Sequence, residues 1–560
     1  MSKSMTIAFL ALAAGCSKGG AANNDGGPRA GASGGTATGD GGAGGAGGGG
    51  GDGSGGSSVS GTGGSSVSGT GGSSVSGSGG SSVSGTGGDG SGGSSVSGTG
   101  GSGVSGTGGG SVSGAGGGGG AVAPGGSGGA SGGVSGTGTG GTIVGACAQP
   151  WLGDIQTGTA LDDEITGVTA PAGGGFYVTG YENGDTTSSD VIPAGDARAV
   201  IALYDSQGAL IWKSKIDTPQ ADTAEDVQVD PASGNLIVLG RTSGALPGFQ
   251  NAGQMDMYVS VLNSAGAALG AIQIGDERPQ HPVRLGLGPN GKILVAGYDD
   301  IFIPSNFVAA LEHGFLAELS DGTAPAFAPS EDFWHRSAYF NSPPPPPSIA
   351  DFTTGVAVAA TDGAVYLSST VDGRADQRGM FVTKLDATGQ TVWSTPLSTD
   401  AGDFAAAVGL SPNGDLIVAG TANPEIAGTE IGQQDAFVAK IDKATGAVLW
   451  AAAAGSTDSD FTTAMAFDAA GNIYVTGQTV GSVGGAPNKG GVDVFVAKIG
   501  PSGNVMSTWQ RGSAGDDLAA AIAVDACGRV VVGGFTTGAL IAGQPSAGGR
   551  DMFLVKADLD

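Results

Sequence analysis

One short motif recurs seven times between residues 174 and 534: a glycine, a turn residue, a β-rich run and, in most copies, a second glycine. The copies are GGFYVTG (174–180), GNLIVLG (234–240), GKILVAG (291–297), GAVYLSS (363–369), GDLIVAG (414–420), GNIYVTG (471–477) and GRVVVGG (528–534). Their starts are 60, 57, 72, 51, 57 and 57 residues apart. This spacing is too long for a helical repeat and suits four strands with generous loops, as in a β-propeller blade.

Each copy lies within a set of four apolar runs. Small and apolar residues precede it, as in FTTAMAFDAAG (461–471), a third run follows it, as in DAFVAKID (435–442), and a fourth often holds tryptophan, as in AVLWAAAA (447–454). Period-two alternation, β-branched and aromatic residues, and Gly/Asn/Asp turns indicate antiparallel strands. The sequence therefore predicts an all-β domain over 147–560, a seven-bladed β-propeller of four-stranded antiparallel blades.

The seventh set of runs lacks its fourth member, because the chain ends after DMFLVKAD (551–558). A candidate for the missing strand stands before the first set, in CAQPWLGDI (147–155), with Trp151 at the expected place. An open ring would leave two unpaired sheet edges, which invite aggregation. We predict that the segment around Trp151 pairs with the strand over 551–557 and closes the ring.

Three cysteines occur, Cys16, Cys147 and Cys527. Cys147 begins the proposed closing segment, and Cys527 lies in the turn between the first two strands of the seventh blade. A Cys147–Cys527 disulfide would fasten the ring and contribute about 2–4 kcal/mol. The alternative is two unpaired thiols.

The N-terminus predicts export. Lys3, a short apolar stretch over 5–14 and LAAGC (12–16) have the order of a secretory signal that ends at a cysteine. This ending resembles bacterial lipoprotein signals, and the resemblance implies a signal peptide over 1–16 and lipid attachment at Cys16. Ser17 follows the cysteine, which by the same resemblance favours an outer-membrane anchor, with the domain on the periplasmic face or the cell surface.

Residues 17–146 are Gly/Ser/Thr-rich, with a recurring GGSSVSGTGG unit. Isolated valines cannot form a core, and glycine raises the entropy that folding must overcome. We predict a disordered tether. Of the 50 acidic and 22 basic residues, four and three lie in 1–146, which leaves a charge of −27 on 147–560. Such a domain repels nucleic acid and anionic headgroups, so membrane contact is expected through the lipid alone. Proteins, peptides and glycans remain as ligands.

Acidic residues recur before the first strand of several blades, for example Asp162, Asp163 and Glu164, and a single Asp precedes several third strands. No group follows the calcium-loop spacing, and Asp at a fixed turn position ordinarily caps backbone amides. We interpret them as turn caps, with Ca²⁺ as the alternative, and expect no cofactor. The three histidines, His281, His313 and His335, fit no metal-ligand pattern.

The sequence over 147–560 contains no G-x-S-x-G, H-E-x-x-H, C-x-x-C or P-loop motif. Because acidic residues are abundant, a paired-carboxylate glycosidase stays open as an alternative. The largest departure from the repeat is FAPSEDFWHRSAYFNS (327–342), followed by five prolines. Its interpretation is either packing on the domain or a recognition loop, with these candidate residues: Phe333, Trp334, His335, Arg336, Tyr339 and Phe340.

The units GSTDSDFTTAMAFDAAGNIYVTG (455–477) and DAFVAKID (435–442) resemble the SBBP-type β-propeller repeats of exported bacterial proteins. The resemblance covers 147–560 and is weakest in the third and fourth units, where Ser368 and Ser369 replace the usual x-Gly. It implies an exported propeller and leaves the molecular function undefined. We interpret the protein as a binding or scaffolding module of the cell envelope, with an envelope enzyme as the alternative. TGAVLW (445–450) and TGQTVW (388–393) also resemble PQQ-type propellers, which leaves an envelope dehydrogenase, a hydrolase or an outer-membrane assembly factor as alternatives.

Overall fold

The computed structural model describes residues 151–559 except 152, 172, 185–196, 303–309, 321–329, 333–349, 373–378, 399–402 and 424–430, together with the backbone of short strands between 57 and 113. The segment 21–127 and the repeat-bearing part of the chain are separate compact units. Among the described residues, no helix combines the length and apolarity needed to cross a bilayer.

The first unit contains seven short strands that follow the SSVS repeats. They are β1 (Ser57–Thr62), β2 (Ser65–Ser68), β3 (Ser73–Ser78), β4 (Ser81–Ser84), β5 (Ser94–Gly98), β6 (Ser102–Ser105) and β7 (Gly110–Ser113). They pair in parallel in the orders β1-β3-β5-β7 and β2-β4-β6, with Val59 in register with Val75. The sequence did not lead us to expect these strands, and most of the segment lies outside the described residues. Disorder over 17–146 stays a prediction.

Seven four-stranded antiparallel sheets form the second unit. From the innermost strand outwards, blade 1 contains β9 (Asp162–Thr169), β10 (Phe176–Gly184), β11 (Arg198–Tyr204) and β12 (Leu210–Ile216); blade 2 contains β13 (Asp222–Val229), β14 (Leu236–Thr242), β15 (Asp256–Leu262) and β16 (Ala268–Ile274); and blade 3 contains β17 (Gln280–Leu287), β18 (Ile293–Phe302), β19 (Ala310–Ser320) and β20 (Ser330–Asp332).

The remaining blades follow the same order. Blade 4 contains β21 (Ala350–Val358), β22 (Val365–Asp372), β23 (Gly379–Leu385) and β24 (Thr391–Pro396); blade 5 contains β25 (Phe404–Leu410), β26 (Leu416–Ala422), β27 (Asp435–Ile441) and β28 (Val448–Ala454); and blade 6 contains β29 (Asp460–Phe467), β30 (Ile473–Thr479), β31 (Asp493–Ile499) and β32 (Val505–Arg511). Blade 7 combines β33 (Asp517–Val524), β34 (Val530–Thr536) and β35 (Asp551–Ala557) with β8 (Ile155–Thr157). Two short 3₁₀ helices, Pro289–Gly291 and Val483–Gly485, lie in loops.

The predicted closure is confirmed. β8 pairs antiparallel with β35 through Ile155–Leu554, Gln156–Phe553 and Thr157–Met552. The paired residues begin four positions after Trp151, whose indole instead packs edge-on against Phe176 of blade 1, with ring centroids 5.9 Å apart. The seventh sheet therefore has its fourth strand from the N-terminal side of the domain, and no blade has an unpaired third strand.

The core lies between the blades. Every residue of β14, β26, β30 and β34 is buried, because a middle strand is covered by a neighbouring blade on both faces. This explains why the glycine-flanked motifs are continuous apolar runs rather than alternating ones. The outer strands alternate in exposure, as in β24, because one side of the rim faces solvent.

Tryptophans of the outer strands connect successive blades. A Cβ added at Gly446 would lie 2.8 Å from the ring of Trp393 in the preceding blade, and Gly446 has φ 77°. Gly266 and Gly503 have the same relation to Trp212 and Trp450. Trp151 occupies this place for the last junction, because its ring lies 3.2 Å from the Cβ position of Gly208 in blade 1. The recurrence of Trp and of a turn Gly in the sequence thus has one packing cause.

Every innermost strand contains a β-bulge. The register of its pairing with the second strand shifts by one residue, which leaves one inner-strand residue unpaired in each blade. Bulges redirect side chains and are frequent next to functional sites. In blade order, the bulge residues are Thr166, Glu225, Val283, Thr354, Ala406, Thr463 and Ala520.

One side chain crosses the central channel. Nη2 of Arg284, next to the bulge of blade 3, donates to the carbonyl oxygen of Thr463 in blade 6 at 3.5 Å. Nη1 of the same arginine donates to the carbonyl oxygen of Val283 at 3.0 Å. Arg284 therefore connects opposite sides of the ring.

Candidate functional site at one end of the channel

Polar side chains are concentrated in blades 1 to 3 at the end of the channel where the inner strands begin. The blades can be compared at one equivalent position, where a residue near the start of the innermost strand pairs with a residue of the second strand. In blades 1 to 7 these pairs are Glu164–Tyr181, Thr223–Arg241, His281–Tyr298, Phe352–Thr370, Phe404–Thr421, Phe461–Gln478 and Leu518–Phe535. The inner-strand member is polar in the first three blades and apolar in the other four. We call the first three pairs, together with Glu225, the polar sector.

Arg241 organises one half of the polar sector. Its Nε lies 2.7 Å from Oε1 of Glu225, and its Nη1 lies 3.1 Å from Nδ1 of His281. The hydroxyl of Thr223 also donates to Glu225. Because a guanidinium only donates, Nδ1 of His281 accepts, which leaves the ring proton of a neutral imidazole on Nε2. Burial opposes the charge on Arg241, but Glu225 and the neighbouring tyrosines outweigh it and raise the pKa of Arg241.

Glu164 is the central group of the other half of the polar sector, and Tyr181 and Arg550 surround it. The hydroxyl of Tyr181 donates to Oε2 of Glu164 at 3.1 Å, and Nη1 of Arg550 lies 3.8 Å from the same oxygen. Burial raises the pKa of Glu164, and the charge of Glu225 adds to this, while Arg550 and Tyr181 act in the opposite direction. Burial and the neighbouring Glu164 raise the pKa of Tyr181 well above its usual value. Tyr181 therefore remains a hydrogen-bond donor at physiological pH.

The two halves lie on neighbouring inner strands. The hydroxyl of Thr166 in β9 donates to the carbonyl oxygen of Ala224 in β13, immediately before Glu225. Glu225 is the one charged residue among the seven bulge residues, so the bulge of blade 2 directs a carboxylate where the other blades have Thr, Val or Ala. The side chains of Glu164, Glu225 and Arg241 are 20%, 16% and 11% exposed, so solvent reaches all three.

Aromatic rings extend the polar sector towards blade 4. His281 stacks on Tyr298 with centroids 4.7 Å apart, and Tyr298 meets the edge of Phe352 at 5.2 Å. On the other side, the guanidinium of Arg550 lies 4.4 Å from the ring centroid of Phe535. These rings are buried, so they support the polar sector from within the domain.

The recurrent aspartates cap turns, as predicted. Oδ2 of Asp163, Asp460 and Asp517 accepts the backbone N–H of Thr159, Ser456 and Ser513 respectively, in each case four residues earlier. The aspartates that open the third strands, Asp256, Asp435, Asp493 and Asp551, accept in the same way. Within the described part of the chain, no three His, Cys, Asp or Glu side chains are grouped as they would be around a metal ion.

Some of these caps face each other across blade junctions. At Gly455, between blades 5 and 6, an added Cβ would lie 2.6 Å from Oδ1 of Asp435 and 2.5 Å from Oδ2 of Asp460. Gly158 is placed similarly between Asp551 and Asp163. Burial, followed by smaller effects that include the charge of Asp435, raises the pKa of Asp460 to about 6. Burial also raises the pKa values of Asp163 and Asp435, so these three carboxyl groups resist ionisation.

A cleft of about 390 Å³ lies at the closing junction, lined by Trp151, Asp154, Trp509, Gln510, Arg511, Lys556 and Asp558. Its polar groups are already paired. Asp154 accepts from the Nε1 of Trp151 and the backbone N–H of Lys556, both at 3.0 Å, and forms an ion pair with Arg511. Lys556 pairs with Asp558 at 2.6 Å. These contacts hold the segment before β8 against blades 6 and 7, and they explain the cleft better than a binding site does.

The remaining sequence candidates lie mostly outside the described residues. Phe333, Trp334, His335, Arg336, Tyr339 and Phe340 all do, so their interpretation as a recognition loop stays a prediction. Cys16 and Cys147 also lie outside, whereas Cys527 is disulfide-bonded. The assignment of Cys147 as its partner and of Cys16 as the lipidation site stays a prediction.

Sequence reasoning missed Tyr181, Glu225 and Arg241 and treated Glu164 only as part of an acidic turn. The signal was present, because the same register position is polar in the first three copies and apolar in the last four. This pattern can be recognised once the inner strands are aligned with the bulge residue included.

Seven four-stranded sheets in a closed ring define this chain as a seven-bladed β-propeller. Residues 450–483, which extend from β28 to the helix after β30, match the family model described as the SBBP β-propeller repeat. The chain thus carries an SBBP β-propeller repeat over 450–483 within a seven-bladed propeller, which confirms the resemblance drawn from 455–477.

One curated relative is the regulatory protein FlaEY of Caulobacter vibrioides (strain ATCC 19089 / CIP 103742 / CB 15), 28% identical over 209 residues. The match covers 31% of this chain and only 21% of that protein. Among solved structures, puromycin hydrolase gives a TM-score of 0.34 at 16% identity, covering 68% of this chain and 51% of that one. The polysaccharide lyase Uly1 gives 0.36 at 12% identity, covering 75% and 96%. Neither structural likeness bears on function.

Proposed function

We propose that this propeller is a binding module of the bacterial cell envelope whose ligand is a glycan held at the polar sector. A lipid at Cys16 anchors it to the outer membrane, and the Gly/Ser-rich segment serves as a tether, so the domain acts on the periplasmic face or at the cell surface. The observation that carries the proposal is that the inner-strand member of this register pair is polar in blades 1 to 3 and apolar in the other four blades.

Two features favour a glycan over other ligands. A sugar presents hydroxyls that both donate and accept, and the sector offers two partly exposed carboxyl groups, Glu164 and Glu225, beside the guanidinium of Arg241. The formal charge of −28 on the chain disfavours nucleic acid and other polyanions.

The test is a glycan array probed with the purified full-length chain, followed by calorimetry with the glycans that bind. Tyr181→Phe removes one hydroxyl that donates to Glu164, and we expect it to weaken binding about 2- to 12-fold, as the loss of one hydrogen bond of about 0.5–1.5 kcal/mol does. Tyr474→Phe is the matched control, because its hydroxyl donates to Asp468 at 3.0 Å in blade 6, outside the polar sector.

Retention of binding by Tyr181→Phe, or equal weakening by Tyr474→Phe, would contradict the placement of the site. Binding of a peptide or protein ligand in place of any glycan would contradict the ligand class. Each result bears on a different part of the proposal.

A further inference from the structure

The two carboxyl groups of the polar sector have opposite surroundings. Glu225 receives a charged hydrogen bond from Arg241 at 2.7 Å and a second bond from Thr223. Glu164 receives its hydrogen bond from the neutral phenol of Tyr181, and its nearest cation, Arg550, is 3.8 Å away. Glu164 thus accepts from a neutral donor and Glu225 from a cationic one, and acid and base roles are assigned to carboxyl groups whose surroundings differ in this way.

We propose that the polar sector hydrolyses a glycosidic bond of the glycan it binds, with Glu164 as the general acid and Glu225 as the general base. This inference rests on the proposed function, because it needs a glycan at the same place. It adds a reaction to the binding role and names the two groups that carry it out.

Hydrolysis of the glycosidic bond needs one proton given to the leaving oxygen and one proton taken from water. Glu164 gives its proton to the glycosidic oxygen while the bond from that oxygen to the anomeric carbon breaks, and the electron pair stays on the oxygen. Glu225 takes a proton from a water molecule whose oxygen forms the new bond to the anomeric carbon. One water is consumed and two sugars with free hydroxyls leave. Afterwards Glu225 loses its proton to solvent and Glu164 regains one.

The surroundings support this assignment. Burial raises the pKa of Glu164, with a smaller contribution from Glu225, so Glu164 holds a proton at a higher pH than an exposed glutamate does. The charged and titratable groups around it are Tyr181, Arg550, Glu225 and Arg241. Arg241 and Thr223 keep Glu225 in one orientation.

The test uses the full-length chain with 4-nitrophenyl α- and β-glycosides of glucose, galactose, mannose and N-acetylglucosamine, and a reducing-end assay on every glycan that binds in the array. We expect Glu164→Gln and Glu225→Gln to lower kcat 10²- to 10⁴-fold and to change glycan affinity only a few-fold. Glu182→Gln is the control, because this carboxylate of blade 1 pairs with Lys213 and Lys215 outside the polar sector.

A leaving-group comparison separates catalysis from structure. A 2,4-dinitrophenyl leaving group needs no proton, so it should restore the rate of Glu164→Gln but not that of Glu225→Gln. Glycan binding without turnover would overturn this inference and leave the binding role standing, whereas neither binding nor turnover would overturn both. Turnover that the two Glu→Gln variants leave unchanged would also overturn the assignment.

Discussion

The buried carboxyl of Asp460 should make the propeller less stable as the pH rises through mildly acidic values. The Asp460 side chain is 0% exposed, and burial raises its pKa from 3.8 to about 6. A shift of this size corresponds to about 3 kcal/mol. Between these two pH values the folded chain holds a proton that the unfolded chain has released, so the free energy of unfolding falls as the pH rises. Above about pH 6 the folded chain holds Asp460 ionised, and the whole loss of about 3 kcal/mol in the free energy of unfolding is present.

The variant Asp460→Asn removes this titration and keeps most of the local contacts. The amide oxygen can still accept the backbone N–H of Ser456, which Asp460 accepts at 2.6 Å. The amide nitrogen would take the place of Oδ1, which lies 3.4 Å from the hydroxyl oxygen of Ser456, an atom that can also accept. We expect the variant to gain about 3 kcal/mol relative to the wild type between pH 4 and pH 7.5.

The assay is urea unfolding of the full-length chain, followed by tryptophan fluorescence at pH values from 4 to 8. Asp163, Asp493 and Asp517 also have raised pKa values, so the difference between variant and wild type is the informative quantity. The exposed neighbour Asp458 provides the control variant Asp458→Asn. A difference between Asp460→Asn and wild type that stays constant with pH would refute the reasoning.

Three further predictions concern the ring closure and the blade junctions. Asp154→Ala removes the group that joins Trp151, Lys556 and Arg511. We expect a loss of about 1–3 kcal/mol in urea unfolding, because the half-buried guanidinium of Arg511 and two N–H groups lose their acceptor; an unchanged free energy of unfolding would contradict this. Gly446→Ala places a Cβ 2.8 Å from Trp393 at a residue with φ 77°. We expect the free energy of unfolding to fall by more than about 1 kcal/mol. Gly485→Ala is the control for backbone strain alone, because Gly485 has φ 82° and open space around its Cβ position. Cys527→Ser should lower stability by about 2–4 kcal/mol, and mass spectrometry of unreduced wild-type peptides should find Cys527 joined to Cys147 rather than to Cys16.

The fold was predictable from the sequence because each blade repeats the same physical requirements. A glycine-flanked apolar run gives a strand buried on both faces, and an incomplete last blade requires a strand from elsewhere, which Trp151 marked. The exact residues of β8 were not predictable, because a three-residue strand has no periodicity and is positioned by the hydrogen bonds of Gln156 with Asp551, Leu540 and Gly538.

The candidate site was largely hidden from sequence reasoning for a different reason. Tyr181 and Arg241 occur inside runs that otherwise indicate core, and Glu225 lies next to Asp226 in what looks like an acidic turn. Their common location depends on the β-bulge, which shifts the inner strand by one residue and cannot be seen in any single copy. Asp163 and Asp460, in contrast, repeat at a fixed turn position, and capping followed directly from that regularity.

The guanidinium of Arg284 reaches from Val283 to Thr463 and is a contact between blades that are not neighbours in the ring. Strand pairing holds each blade together and packing joins it to the next blade, whereas this side chain spans the channel itself. A side chain held at both ends narrows the channel at the level where it crosses.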